Sequence, residues 1–376
     1  MDSDDYRQAV SKRRMIEMIV FYGWTFLQIL NMINVKNNYY KDEKAILLIA
    51  GYEDTERYQD MLDESVKRGI FCKTEKLFFL DSRSGRGPLL KRKKEYDSAI
   101  ERLIPPCKVK CVTAGFWGDS LIVMDCLYRK YGLREIGIVE EGLLFPDKHT
   151  LFQKVPLKKR IFYGGFHYKR FIGMIRKTYT YGGVKNKLAD ISQHRLLPQI
   201  NTENINCLEL LQRNRAWYAS YINEYQVFYF DGNYKINNFD LLTEFYKAVF
   251  SALHRHHKKI SVRLHPSNKT RRLLFDGIAD QIDDTPRTIE ELSVCGQWDE
   301  KIILTINSAA AVNMNRVFGA NPYVIYLNRL YKDMEVALPP VVIDNQKNFM
   351  PETMEDYCNI IKKIAGCKEV CCGTAE

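Results

Sequence analysis

Zinc knuckles are missing from this chain: its ten cysteines contain no Cys-x-x-Cys pair. That spacing excludes a zinc ribbon, and scattered thiols point to a reducing compartment rather than a disulfide framework. Cys367, Cys371 and Cys372 crowd the tail, yet the last four residues are not a prenylation box. Long apolar runs are also lacking. Residues 1–14 are polar and charged, and the hydrophobic stretch after them is too short and interrupted for a signal sequence or a membrane span. A cytoplasmic location is therefore expected. No internal repeat or low-complexity tract is present, so solenoid and disordered classes are set aside. No Asp-x-Asp pair follows a predicted strand. The run Ser84-Gly-Arg-Gly-Pro-Leu-Leu-Lys91 lacks the Gly-Lys-Ser/Thr ending of a phosphate loop and reads as a basic surface loop.

What is present suits a folded two-domain protein. The length of 376 residues exceeds the usual size of one core, and a hydrophobic share of 46% fills two. Twenty-three tyrosines and 19 phenylalanines supply aromatic packing and aromatic-walled clefts. The formal net charge of +10 favours anionic partners without choosing among nucleotides, acidic sugars, phospholipid headgroups and nucleic acid.

Apolar strand patterns alternate with helical ones. Ile16 to Phe21 reads as a strand, Tyr22 to Thr25 as a turn, and Phe26 to Ile33 as an amphipathic helix. Further strands are expected at Ala45–Ala50, Leu77–Leu80, Val109–Thr113 and Ile136–Val139. This predicts a mostly parallel first sheet over residues 1–150. Residues 151–225 form a basic, tyrosine-rich stretch, expected to be an insertion or interdomain segment. A second domain is predicted over 226–350, with strands at Gln226–Phe230, Ile260–Leu264, Ile302–Ile306 and Tyr323–Leu327. A final helix and tail occupy 351–376.

Three short motifs stand at predicted strand ends, where open α/β sheets bind ligands. The first is Glu140-Glu141-Gly142, where strand alternation sends the two carboxylates to opposite faces and glycine permits a sharp turn. Two solvated surface charges would explain the same pair. The second is His265-Pro266, in which the proline fixes a titratable ring at the sheet edge. Arg263 and Lys269 add charge nearby, although Arg263 could equally face away. His254, His256 and His257 fit a helix C-terminus. The third is Asn307-Ser308 ahead of Ala309–Val312, where the serine is either a simple N-cap or part of an anion site.

In that order the motifs resemble the bacterial sialyltransferases of the lipooligosaccharide and polysialyltransferase families, family 52-like and of GT-B type. The resemblance implies two Rossmann-like doubly wound domains facing a cleft. It implies an inverting transferase that moves sialic acid from CMP-sialic acid to a glycan acceptor, with no cofactor and no metal. Glu141 would be the general base. His265 would bind the donor phosphate and assist departure of cytidine monophosphate. Asn307 stands where the family has a hydroxyl residue, which puts one phosphate contact in question. Asp231, Gly232, Asn233 and Glu290 would complete the donor side, although a helix-start acidic cluster also explains Glu290. Glu140, Gly142, Gly23, Trp24, Gly115 and Asp119 would line the acceptor side. Two rivals remain: a transferase using another cytidine-activated donor such as CMP-Kdo or a CDP-polyol, and a non-catalytic binder of acidic glycans or nucleic acid. The leading reading expects no nucleic-acid partner and leaves open a homodimer. Lysines and arginines between Lys154 and Lys187, Lys158, Lys159 and Arg160 among them, form either a solvated face or a surface that draws the protein to the anionic inner face of a membrane or to a charged acceptor.

Overall fold

Runs such as Ala45–Gly51, Val227–Phe230 and Ile302–Thr305 carry apolar residues on both faces, the pattern of strands covered by helices on each side. In the computed structural model they do pair in parallel. The structure describes residues 17–51, 58–78, 86–115, 119–141, 167–182, 188, 190–201, 215–232, 234, 236, 238–265, 269–285, 288–331 and 346–371. The chain divides into two units, Met1–Pro198 and Gln199–Glu376.

The first unit runs β1 (Glu17–Gly23), α1 (Phe26–Tyr39), β2 (Ala45–Gly51), α2 (Gln59–Lys67), β3 (Lys73–Phe78) and α3 (Arg86–Leu103). It continues as β4 (Lys108–Thr113), α4 (Asp119–Tyr131), β5 (Glu135–Val139), α5 (Tyr168–Gly173), β6 (Ile175–Thr180) and β7 (Gln193–Leu196). All seven strands are parallel in the order β3-β2-β1-β4-β5-β6-β7. The order reverses between β1 and β4, which opens a crevice at their C-terminal ends.

The second unit contains α6 (Arg215–Glu224), β8 (Val227–Phe230), α7 (Phe239–His254), β9 (Ile260–Arg263), a 3-10 turn (Lys269–Leu274) and β10 (Gln281–Asp283). There follow α8 (Ile289–Cys295), β11 (Ile302–Thr305), α9 (Ala309–Arg316), β12 (Tyr323–Tyr326), β13 (Asn348–Phe349) and α10 (Met354–Cys371). Its parallel sheet has the order β10-β9-β8-β11-β12-β13, so the reversal falls between β8 and β11. No helix among the described residues is long and apolar enough to cross a membrane.

Two expectations need correction. Residues 151–225 are not only an insertion: they supply β6 and β7 to the first sheet and α6 to the second unit. Tyr179 and Tyr181 are buried there, and Lys177 pairs with Glu135 at 2.9 Å while lying over the Tyr40 ring. Lys158, Lys159 and Arg160 lie outside the described residues. The final helix expected within 351–376 is α10, and it packs into the second unit. Tyr357, Ile361 and Ile364 are buried in the second core, and the Tyr357 hydroxyl donates to the Val249 carbonyl of α7. The other correction concerns α1, whose polar face is enclosed instead of solvated. Every residue from Phe26 to Lys36 is buried, including Gln28, Asn31 and Asn34 on one face.

Candidate functional site

In the second unit the polar residues gather about the β8–β11 reversal. Asp231 follows β8 with its side chain fully enclosed, where an isolated carboxylate would be costly. Arg271, 6% exposed, answers it with an ion pair of 2.8 Å to Oδ1. The same guanidinium donates to the carbonyls of Gly232, at 2.8 Å, and Tyr234, and its plane lies 3.9 Å from the Tyr234 ring centre. Arg271 thus ties the segment after β8 into one shape. Asp231 Oδ2 then accepts the His265 backbone N–H at 3.3 Å, so this pair fixes the main chain that carries the imidazole. Beneath lie the buried hydroxyls of Tyr229, Tyr234 and Tyr246, with Tyr246 2.5 Å from Tyr229 and 2.7 Å from Tyr234.

The His265 ring is half-buried at the end of β9. Burial lowers its pKa from 6.5; Asp231 opposes that shift and Arg271 adds to it. The ring is therefore neutral near pH 7 and offers one N–H and one acceptor nitrogen. Pro266 lies outside the described residues.

Across the reversal, the Thr305 hydroxyl donates to the Phe230 carbonyl and accepts the Ser308 N–H at 2.8 Å, which joins β11 to β8. Ser308 caps α9, its Oγ accepting from Ala310 N–H. The N-cap role is thus realised, and a ligand would share that oxygen. Asn307 lies directly against Gly232, where an added Cβ would meet Asn307 Oδ1 at 1.8 Å. A larger residue would push the Asn307 amide aside, so Asp231-Gly232 and Asn307-Ser308 are brought together. Asn233 is outside the described residues.

One cation expected near His265 is placed differently. Arg263 does not face the edge as a spare cation; it pairs with buried Asp283 on β10 and donates to the Thr285 carbonyl at 3.2 Å. In the acidic cluster, Glu291 forms a capping box with Thr288. Glu290 remains half-buried, its pKa raised by burial. The Lys269 side chain lies outside the described residues.

In the first unit Glu140 and Glu141 follow β5, beside the β1–β4 reversal, and part as alternation requires. Glu140 is 1% exposed, so it belongs to the packing and not to an acceptor surface. Its backbone N–H donates to Tyr179 O, and its carbonyl accepts from Asn31 Nδ2 at 3.0 Å. Glu141 is half-buried, and burial raises its pKa above 4.5 while the Gln28 side chain favours the ionised form. Gln28 is itself oriented: Trp24 N–H donates to its Oε1 at 2.9 Å. Gly23 leaves room for this, since an added Cβ would sit 3.2 Å from Gln28 Cβ. The Gly115 carbonyl accepts the Ser120 hydroxyl at 2.8 Å at the start of α4. Trp24 is half-buried beside Tyr22. Gly142 and the Asp119 side chain lie outside the described residues.

Sequence reasoning missed Arg271 and the amides of α1. Arg271 is one of three cations in Lys269-Thr-Arg-Arg272, with nothing local to mark which is buried. The amides of Gln28, Asn31 and Asn34 recur at intervals of three, a helical face that reads as solvated until the helix is seen enclosed.

No protein-family model matches the chain, and no curated protein matches it. Solved structures do. The UDP-GlcNAc 2-epimerase from Neisseria meningitidis, bound to UDP-GlcNAc, is similar at 12% identity and TM-score 0.50, over 94% of this chain and 92% of that one. The shared fold is a pair of Rossmann-like parallel-sheet domains. A sialyltransferase from Photobacterium damselae, residues 113–497 corresponding to its GT-B domain, matches at 10% identity and TM-score 0.45, over 93% and 97%. The E. coli heptosyltransferase WaaC with ADP-2-deoxy-2-fluoro heptose matches at 8% and 0.46, over 92% and 99%. At 12% identity the likeness to the epimerase speaks for two Rossmann-like parallel-sheet domains alone.

Proposed function

We propose that the protein is a nucleotide-sugar glycosyltransferase, and specifically an inverting sialyltransferase using CMP-sialic acid. The observation that carries the reading is the convergence of His265, Asp231-Gly232 and Asn307-Ser308 on one sheet reversal, with half-buried Glu141 at the sheet edge of the first unit. In this reading the Glu141 carboxylate takes the acceptor hydroxyl proton while that oxygen bonds to the anomeric carbon. The bond from that carbon to the donor phosphate breaks, and its electron pair leaves with cytidine monophosphate. One displacement inverts the configuration. The His265 N–H donates to the departing phosphate, and the first turn of α9 adds backbone donors and the positive end of its dipole. Burial suits both groups. It moves the Glu141 pKa toward the operating pH, where general-base transfer is most effective, and it strengthens hydrogen bonds to developing charge.

No metal enters this scheme, so cytidine monophosphate should raise thermal stability without magnesium and in the presence of chelator. A shift that needs a divalent ion would contradict the scheme. The donor is tested by nucleotide release across CMP-sialic acid, CMP-Kdo, a CDP-polyol and UDP-GlcNAc. Release from CMP-sialic acid that depends on a glycan acceptor supports the reading. A second reading rests on the 2-epimerase likeness, and conversion of UDP-GlcNAc to its 2-epimer would favour it. Nucleotide binding without turnover of any donor would leave a binding protein.

A further inference from the structure

One face of α1 carries a directed hydrogen-bond chain that starts at exposed Asn38, runs through buried groups and ends on the peptide preceding Glu141. Asn38 Nδ2 donates to Asn34 Oδ1 at 2.8 Å, and Asn34 Nδ2 donates to the Tyr181 hydroxyl at 3.1 Å. That hydroxyl donates to Asn31 Oδ1 at 2.8 Å, and Asn31 Nδ2 donates to the Glu140 carbonyl at 3.0 Å. Donor and acceptor roles agree along the whole series, so the Asn31 amide has one orientation. Asn31, Asn34, Tyr181 and Glu140 are each at most 1% exposed.

A chain of this kind costs more to assemble than apolar packing would. Three amides on one helix face could have been leucines, and buried polar groups are worth keeping where they fix geometry. What this one fixes is the Glu140–Glu141 peptide plane, and with it the direction in which Glu141 leaves β5. Gln28, one turn earlier on the same face and held by Trp24 N–H, stands beside the carboxyl itself.

We propose that Asn31, held by Tyr181, is a positioning residue that aims Glu141 through the Glu140 carbonyl. This rests on the role given to Glu141 above. The test uses the full chain with Asn31→Leu and Tyr181→Phe, each alone and combined with Glu141→Gln. Asn31→Leu should lower kcat for transfer by about 10- to 100-fold, a part of the usual worth of a general base. KM for the donor and the affinity for cytidine monophosphate should change less than about twofold, because the donor side is untouched. Tyr181→Phe removes only the hydroxyl that orients the amide and should cost about 3- to 10-fold, which carries the test if Asn31→Leu fails to fold. In the Glu141→Gln background either substitution should leave the residual rate within about twofold, since two groups acting through one step are not additive. Losses that multiply in both backgrounds, or an unchanged kcat in the Glu141-containing variants, would overturn the proposal. A Glu141→Gln enzyme with full turnover would instead overturn the general-base reading beneath it.

Discussion

Replacing Arg271 by methionine keeps much of the side-chain volume and removes the charge. Asp231 would then be a carboxylate with no exposure and no cation, and the carbonyls of Gly232 and Tyr234 would lose their donor. Breaking a buried ion pair from one side costs about 3–5 kcal/mol, because the remaining charge cannot regain water. The stacking on Tyr234 adds to that loss, and the methionine recovers part of it by packing. A net cost of about 4 kcal/mol follows, enough to move a denaturant midpoint by roughly 1–2 M urea at ordinary slopes. Asp231→Asn combined with Arg271→Met should recover more than half of the loss, because the stranded charge is then gone. Urea melts measure the size, and hydrogen exchange in peptides covering 227–231 and 260–265 gives the place. A midpoint within about 0.3 M of the parent, or a double variant no more stable than Arg271→Met alone, would refute the argument.

Glu141→Gln should reduce transfer about a hundredfold while cytidine monophosphate still binds. The acidic limb of the parent's turnover should lie above the 4.5 of an ordinary glutamate and disappear in that variant; a limb below 4.5 would contradict the burial argument. The lowered His265 pKa means that folding disfavours its protonation, so its contribution to stability is complete above 6.5 and falls away as pH drops through the folded value. His265→Gln should flatten that part of the stability–pH curve. Gly232→Ala forces Asn307 aside and should weaken nucleotide binding about tenfold or more, whereas Gly173→Ala, with open space around the new Cβ, should bind as the parent does.

The fold was legible because its strands are apolar runs that end in turn residues. Ala45–Ala50, Val109–Thr113, Ile260–Leu264 and Ile302–Ile306 all lie on or within one residue of observed strands. Less visible were β6 and β7. Ile-Arg-Lys-Thr-Tyr-Thr and Gln-His-Arg-Leu carry charge and polarity because they lie toward one edge of the first sheet, where the faces are less completely covered. Composition therefore gave them to an insertion. The same limit explains α1: hydrophobic periodicity registers side-chain polarity and cannot see that a polar face is enclosed by β5, Tyr181 and the Pro198 carbonyl.

The site was legible in a different way. Its candidate residues were picked out because a strand ending in His-Pro or Glu-Glu-Gly is a local pattern, and within the second unit the β8–β11 reversal then brings Asp231-Gly232 beside Asn307-Ser308. What holds them is not local. Arg271 stands 40 residues from Asp231, and Asn31 stands 109 from Glu140. In each unit a buried polar side chain grips the main chain of, or next to, the group given the chemical role: Asp231 on the His265 N–H, Asn31 on the Glu140 carbonyl. A main-chain anchor fixes the direction in which a side chain leaves its strand. In the proposed reading each group is thereby aimed before its substrate arrives, which is what preorganised acid–base chemistry requires.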